Sequence, residues 1–226
     1  MNNEKQVVFC VAAHPDDEVL GCGGTLARHV DEGDDVHVMF MTDGVSSRLG
    51  VQESDVRTRM EEALAAARVL GIREECVHWP TPIGVLPDNQ LDTVPLLTIA
   101  KLVGERIDAV KPETVYTHWP RCLNQDHRVV AQAVTIACRP MSHVEALLYF
   151  EVPSSSEWSP DGAFNPQVIL EIELERKLRA LGCYKSEVRH APHPRSQTVV
   201  AALALWRGSK ALFTAGEGFE VGRFQG

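Results

Sequence analysis

Five stretches of the chain are continuously apolar and rich in β-branched residues: Val7–Ala12, Val36–Thr42, Val77–Trp79, Thr114–Thr117 and Leu147–Val152. Continuous rather than alternating apolarity is the pattern of strands covered on both faces, as parallel strands are. Between them apolar positions return every three to four residues, predicting helices over about Val19–Glu32, Asp55–Leu70, Val94–Val110 and Asp126–Cys138. Gly71 closes the second of these, and Lys111-Pro112 and Arg139-Pro140 close the third and fourth. Strands alternating with helices predict an α/β fold: a single Rossmann-like domain over residues 1–226, with a parallel sheet and helices on both faces. A stretch rich in Ser, Pro, Gly and Asn, from SSSEWSP to FNPQ, then predicts a long loop that rims a pocket. Beyond it come a helix around Leu170–Leu181, a basic turn RHAPHPRS, an apolar helix near Gln197–Trp206 and a strand-like FEVGRF.

Charge and composition narrow the function classes. Lys and Arg number 22 against 31 Asp and Glu, a net charge of −9, so the basic footprint of a nucleic-acid binder is missing. The opening MNNEKQ carries no apolar segment of signal-peptide length, and no run approaches the ~20 apolar residues of a membrane span. A cytoplasmic protein is expected. The six cysteines, Cys10, Cys22, Cys76, Cys122, Cys138 and Cys183, form no C-x-x-C pair and sit mostly in apolar segments, the pattern of reduced, buried thiols.

In doubly wound folds ligands gather beyond the carboxyl ends of the strands. His14, Asp16, Asp17 and Glu18 follow the first strand, and a second polar cluster, THWPRCLNQDH, follows the fourth with His118, Asp126 and His127. Each has an ordinary reading: Pro15 suits a turn, acids suit the positive start of a helix, and His127 can be a solvated residue beside Asp126. Taken together, His14, an acid of the first loop and His127 make a two-histidine, one-carboxylate set that leaves coordination positions open for water and substrate. Gly21, Gly23 and Gly24 do not follow the G-x-G-x-x-G spacing of a dinucleotide site, and close packing of helix on sheet is the better reading for them.

AHPDDEVLGCGG and NQDHR resemble the LmbE/PIG-L family of zinc-dependent N-deacetylases. TDG, RMEEALAAARVLG, LPDNQLD, SSSEW, KLRALGCYKSEVR, PHPRS and WRGS extend the likeness over nearly the whole chain. The resemblance implies Zn²⁺ held by His14, Asp17 and His127, Asp16 as general base, and Asp126 in a supporting role beside His127. It also implies Arg59 and Asp88 at the substrate. Many members read H-x-D-H where this chain has Asn124-Gln125-Asp126-His127. Asn124 can donate a hydrogen bond to an oxyanion but cannot shuttle a proton, so the acid role falls to Asp16; His118 and His193 read first as structural or substrate-contacting histidines and second as substitute acids.

Arg189, His190, His193 and Arg195 form a basic turn that is either solvated or a contact for a substrate anion, with His193 and Arg195 taken as substrate-binding. Trp119 and Trp158 border the expected site, as sugar-stacking faces or as packing. The expected partner is an N-acetyl sugar, small or glycan-linked, and self-association is left open. The alternatives are an N-deacylase of a non-sugar molecule and a metal- or sugar-binding module without catalysis.

Overall fold

The computed structural model describes residues 5–80, 85–140 and 142–225, so the expected domain over 1–226 includes short segments outside the described residues. In chain order the elements are β1 (Val7–Ala12), α1 (Asp17–Glu32), β2 (Asp35–Phe40), α2 (Glu53–Leu70), β3 (Val77–His78), α3 (Leu96–Val110), β4 (Thr114–His118), α4 (Gln125–Ala137), β5 (Ala146–Phe150), β6 (Val168–Glu171), α5 (Leu174–Leu181), α6 (Gln197–Ser209) and β7 (Gly216–Phe224). The seven strands lie in the order β3-β2-β1-β4-β5-β7-β6. β1 through β5 pair in parallel, as their unbroken apolarity predicts. Strand side chains divide between two cores: Val8, Cys10 and Ala12 point to the layer of α1, α2 and α5, and Phe9, Val11 and Ala13 to the layer of α3 and α4. The fold is α/β and doubly wound.

Two features depart from the sequence reading. The sheet ends in an antiparallel pair, because β7 runs against both β5 and β6. The helix expected around Leu170–Leu181 begins only at Leu174, and Val168–Glu171 is an edge strand. The run VILE is as apolar as a helix face, and its pairing with β7, which lies nearly fifty residues later, decides its state.

The order of strands positions the site. β1 lies between β2 and β4, so chain direction across the sheet reverses there, and the segments leaving the carboxyl ends of β1 and β4 face one crevice. α1, which follows β1, is kinked at Cys22 (φ −143°, ψ 16°). The kink frees backbone donors, and the buried carboxylate of Glu217 on β7 accepts from Gly24 N at 3.0 Å and Thr25 N at 2.7 Å. Glu217 also pairs with the buried Lys177 ammonium. Gly21 and Gly24 of α1 are close-packing residues, as expected: a Cβ at Gly24 would lie 2.6 Å from Ile172 Cβ, and one at Gly21 would overlap the Phe150 ring, whereas one at Gly23 would meet only its own helix, with Val19 Cγ1 at 3.4 Å. Because Glu217→Ala would leave Lys177 uncompensated and strip the kink of its cap, it is expected to cost about 3–5 kcal/mol in denaturant unfolding. A loss under about 1 kcal/mol would contradict this role for the pair.

Candidate metal centre and active site

The chain leaves β1 through Ala13 and His14 and turns sharply at Asp16, whose backbone (φ 112°, ψ −26°) is left-handed for a non-glycine residue. That strained turn is pinned from several sides. Thr42 Oγ1 donates to Ala13 O at 3.0 Å, Arg59 Nη1 donates to Pro15 O at 2.9 Å, and Asp16 N donates to Glu18 Oε2 at 3.0 Å. Strain held in this way is a feature of sites that must present a side chain in one direction. From the other exit, Asn124 caps α4, its Oδ1 accepting from Asp126 N at 2.8 Å and His127 N at 3.3 Å.

These two exits bring His14, Asp17 and His127 together. His14 Nδ1 lies 3.0 Å from Asp17 Oδ2, His127 Nε2 lies 3.2 Å from the same oxygen, and the two ring nitrogens are 3.3 Å apart. Tetrahedral ligands at the usual zinc bond lengths of about 2.0–2.1 Å stand about 3.4 Å from one another, so the three atoms fit one divalent ion. All three residues are buried. The remaining nitrogen of His14, Nε2, faces Asp126 Oδ2 at 3.3 Å and Asp88 Oδ1 at 3.6 Å. This carboxylate contact holds the ring with Nδ1 toward Asp17, the usual arrangement behind a ligating histidine. Asp126, expected beside His127, therefore stands behind His14, its other oxygen accepting from Leu91 N at 3.1 Å.

The electrostatics of the cluster call for a cation. Burial alone pushes the His14 imidazole down, but hydrogen bonds to Asp126 and Asp17 and the charges of Asp17 and Asp88 outweigh it and raise it to about 10. His127, likewise lowered by burial, is raised to about 9 chiefly by Asp17. Burial would raise Asp17, yet the charge of His127 foremost holds it well below the usual carboxylate range. Without metal, then, both imidazoles are biased toward their protonated forms, and a metal held here would displace those protons. Zn²⁺ binding at pH 7.5 is expected to release protons and to tighten as pH rises toward 9, read by calorimetry in buffers of different ionisation heat. Binding without proton release would contradict the assignment.

Asp16 is not part of this triangle. Its carboxylate lies in the same cavity, of about 220 Å³, that His14, Asp17, His127 and Asn124 line. Burial and the neighbouring charge of Asp17 push it up to about 7 against the pull of Arg195 and Arg59. Arg195 Nη1 bridges Asp16 Oδ2 at 3.3 Å and Glu187 Oε2 at 2.9 Å. Glu187, which is 1% exposed, is the hub of the cationic wall: it also pairs with Arg59 and, at 2.8 Å, with Arg48.

Other expected residues are placed differently. Asp88 is buried and its Oδ2 is held by the loop after β2, accepting from Ser47 Oγ at 2.6 Å and Ser47 N at 3.2 Å, while its neighbour Asn89 lines the cavity. His193 is not among the lining residues, and its Nδ1 accepts from Arg195 N at 3.1 Å. Arg59 does line the cavity, although nearly all of it is buried against Pro15 and Glu187. His118 cannot act as the substitute acid. It is fully buried, its Nε2 already accepts from Ala13 N at 2.8 Å, and burial together with His127 holds its imidazole well below the ordinary value. Trp119 is also fully buried and donates from Nε1 to Glu220 Oε2 at 2.9 Å, so it packs rather than stacks on a ligand; Trp158 is half exposed.

Arg48, Asn89, Cys122, Ser154, Ser155 and Glu187 are residues of this neighbourhood that the sequence reading did not single out. Most of their stretches are visible, Asn89 in LPDNQLD, Cys122 in THWPRCLNQDH, Ser154 and Ser155 in the pocket-rim SSSEWSP and Glu187 in KSEVR, but not these positions within them. Further groupings of donor residues among those described are His14 with Asp88 and Asp126, which shares a residue with the centre, His29 with Glu32 and Asp34, and Asp35, His37 and Cys76 at the β2–β3 edge, where Arg73 already holds Asp35 Oδ1 at 2.7 Å.

Similarity to known proteins agrees with this geometry. The family model for PIG-L, GlcNAc-PI de-N-acetylase, matches residues 9–138. The uncharacterized deacetylase YaiS of Escherichia coli K12 is 31% identical over 195 residues, covering 81% of this chain and 93% of YaiS. The 4-oxalmesaconate hydratase of Pseudomonas putida is 29% identical over 187 residues, covering 71% of this chain and 67% of the hydratase. The structure of the N,N'-diacetylchitobiose deacetylase from Pyrococcus horikoshii superposes with a TM-score of 0.76 at 21% identity, over 96% of this chain and 84% of that one. With the match running from β1 through α4, and so spanning both halves of the site, the chain belongs to the PIG-L family.

Proposed function

We propose that the protein is a zinc-dependent N-deacetylase that removes the acetyl group from the nitrogen of an amino-sugar derivative, a GlcNAc-type sugar standing free, as a nucleotide sugar or in a glycoconjugate. The observation that carries this reading is the convergence of His14 Nδ1, Asp17 Oδ2 and His127 Nε2 within 3.0–3.3 Å of one another, with Asp16 beside them in one cavity. The family description, a de-N-acetylase of GlcNAc-PI, and the chitobiose deacetylase with the same fold support the sugar class. The six free thiols suit a reducing compartment, in keeping with the cytoplasm. No helix among the described residues is long and apolar enough to cross a membrane.

Amide hydrolysis needs a strong nucleophile, a stabilised oxyanion and a proton for the amine. A divalent ion held by His14, Asp17 and His127 would polarise the acyl oxygen and make a bound water acidic near neutral pH. Asp16, poised at about 7, takes the proton of the attacking water and returns it to the departing nitrogen. Arg195 keeps its carboxylate in place. One neutral-pH carboxylate thus serves as base and then as acid, which the chain requires because Asn124 cannot transfer a proton.

Asn124 supplies the remaining part. Its Oδ1 is fixed by the α4 cap, so its Nδ2–H group is the one free to donate toward a developing oxyanion in the cavity. Asn124→Asp keeps the cap, since aspartate caps as well as asparagine, but loses the donor. It is expected to fold with an unchanged melting temperature and to lose turnover by ~10²–10³. Full turnover in that variant would remove Asn124 from the mechanism.

The reading is tested by incubating the metal-loaded protein with N-acetyl sugars, nucleotide sugars and glycosides and measuring acetate and free amine together. Equimolar release of both from a sugar substrate is expected. Release only from non-sugar N-acyl compounds would favour the broader deacylase reading. A hydratase, as the Pseudomonas putida relative is named, would add water without releasing acetate.

A further inference from the structure

We propose that Cys122 is a positioning residue for His127: its sulfur accepts the Nδ1–H of His127 and so keeps the Nε2 lone pair turned toward His14 and Asp17. The inference rests on the reading of His127 as a metal ligand through Nε2.

Cys122 lies in the turn between β4 and α4 and is 2% exposed. Its Sγ is 3.3 Å from His127 Nδ1, 3.2 Å from Ser155 Oγ and 3.5 Å from Ser156 Oγ. The direction of each bond follows from what the two hydroxyls already do. Ser156 Oγ accepts from Val152 N at 2.9 Å, which leaves its own proton to donate to the sulfur. Ser155 Oγ donates to Val152 O at 3.2 Å, which leaves its oxygen to accept the thiol proton. With the thiol proton committed to Ser155, the sulfur meets His127 only as an acceptor, so the proton between them belongs to Nδ1. A neutral imidazole protonated at Nδ1 has its lone pair at Nε2. That nitrogen is the one 3.2 Å from Asp17 Oδ2 and 3.3 Å from His14 Nδ1.

Two further contacts restrict the ring. His118 stacks on it with centroids 4.0 Å apart and planes 21° from parallel, and His118 is itself fixed by the bond from Ala13 N. Asn124 holds the His127 backbone through the helix cap. The two histidines of the centre are thus oriented by different chemistry: a carboxylate, Asp126, behind His14, and a thiol behind His127. Sulfur is a weak acceptor, so Cys122 fixes tautomer and direction while adding little to the basicity of the ligand.

The test compares Cys122→Val, which fills the site without an acceptor, with Cys122→Ser, which restores one. Zn²⁺ affinity is measured by chelator competition, and the visible spectrum of the Co²⁺-substituted protein reports the ligand field. The valine variant is expected to bind Zn²⁺ ~10–100-fold more weakly, with a shifted Co²⁺ spectrum and the circular dichroism of the parent, and serine is expected to recover most of the loss. Parent-like Zn²⁺ affinity and Co²⁺ spectrum in Cys122→Val would overturn the inference while leaving the metal centre standing. A parent protein that binds no zinc would instead overturn the ligand reading itself. Should the valine variant not fold, Ser156→Ala removes a hydroxyl that orients the sulfur and also accepts from Val152 N; with the parent's circular dichroism as the folding control, it is expected to weaken Zn²⁺ binding in the same direction, and unchanged affinity there would overturn the inference equally.

Discussion

Asp16→Asn is expected to keep its zinc and its substrate affinity and to lose turnover by ~10²–10⁴, the usual size of a general acid–base contribution. Three observations set this expectation. Asp16 stands outside the triangle of ligand atoms, so its replacement removes no metal bond. An amide has nearly the shape of a carboxylate, so the left-handed turn at φ 112° is retained, and asparagine tolerates that region. Arg195, which faces Asp16 Oδ2 at 3.3 Å, remains anchored by Glu187 at 2.9 Å. What the variant lacks is a group able to accept a proton near neutral pH, where burial and Asp17 have placed this carboxyl. Metal content, substrate binding and acetate release on this single variant separate the roles. Loss of metal would make Asp16 a ligand, and unchanged turnover would move the base elsewhere.

His127→Ala is expected to fail in a different manner, losing metal and activity together. His127 contributes one of the three converging ligand atoms, and its removal leaves Asp17 and His14 with an incomplete set. Stoichiometric zinc should fall well below that of the parent by elemental analysis, and acetate release should fall to background at metal concentrations that saturate the parent. The ring is also stacked on His118, so a folding control belongs with the measurement: circular dichroism should remain that of the parent. Full metal occupancy in His127→Ala would remove it from the centre.

The parts of the molecule legible in the sequence are those whose cause is local. Unbroken apolar runs identify β1, β2, β4 and β5 because a strand covered on both faces has no polar side to show. Gly71 and the Lys111-Pro112 pair mark helix ends because the chain needs a left-handed residue or a stop there, and Gly71 and Lys111 do have positive φ. His14, Asp16 and Asp17 are visible because three of the groups needed sit within four residues after one strand. The positions that escaped depend on partners distant in the chain. Val168–Glu171 is a strand only because β7 pairs with it. Glu187 is a hub only because Arg48 and Arg59, well over a hundred residues earlier, reach it. Asp88 reads as a substrate contact until Ser47 is seen to hold one of its oxygens and His14 to face the other. Cys122 reads as one more buried thiol until His127 folds back onto it.

The central claim is that one zinc ion, held by His14, Asp17 and His127, is required for removal of an acetyl group from an amino sugar. The most direct measurement is a titration of the chelator-treated protein with Zn²⁺, following acetate release from an N-acetyl amino sugar that the metal-loaded protein turns over. The rate should begin at background, rise in proportion to added zinc and level off at one equivalent per chain. A rate that survives chelation, or tight binding of one equivalent with no acetate released from any N-acetyl sugar, would contradict it.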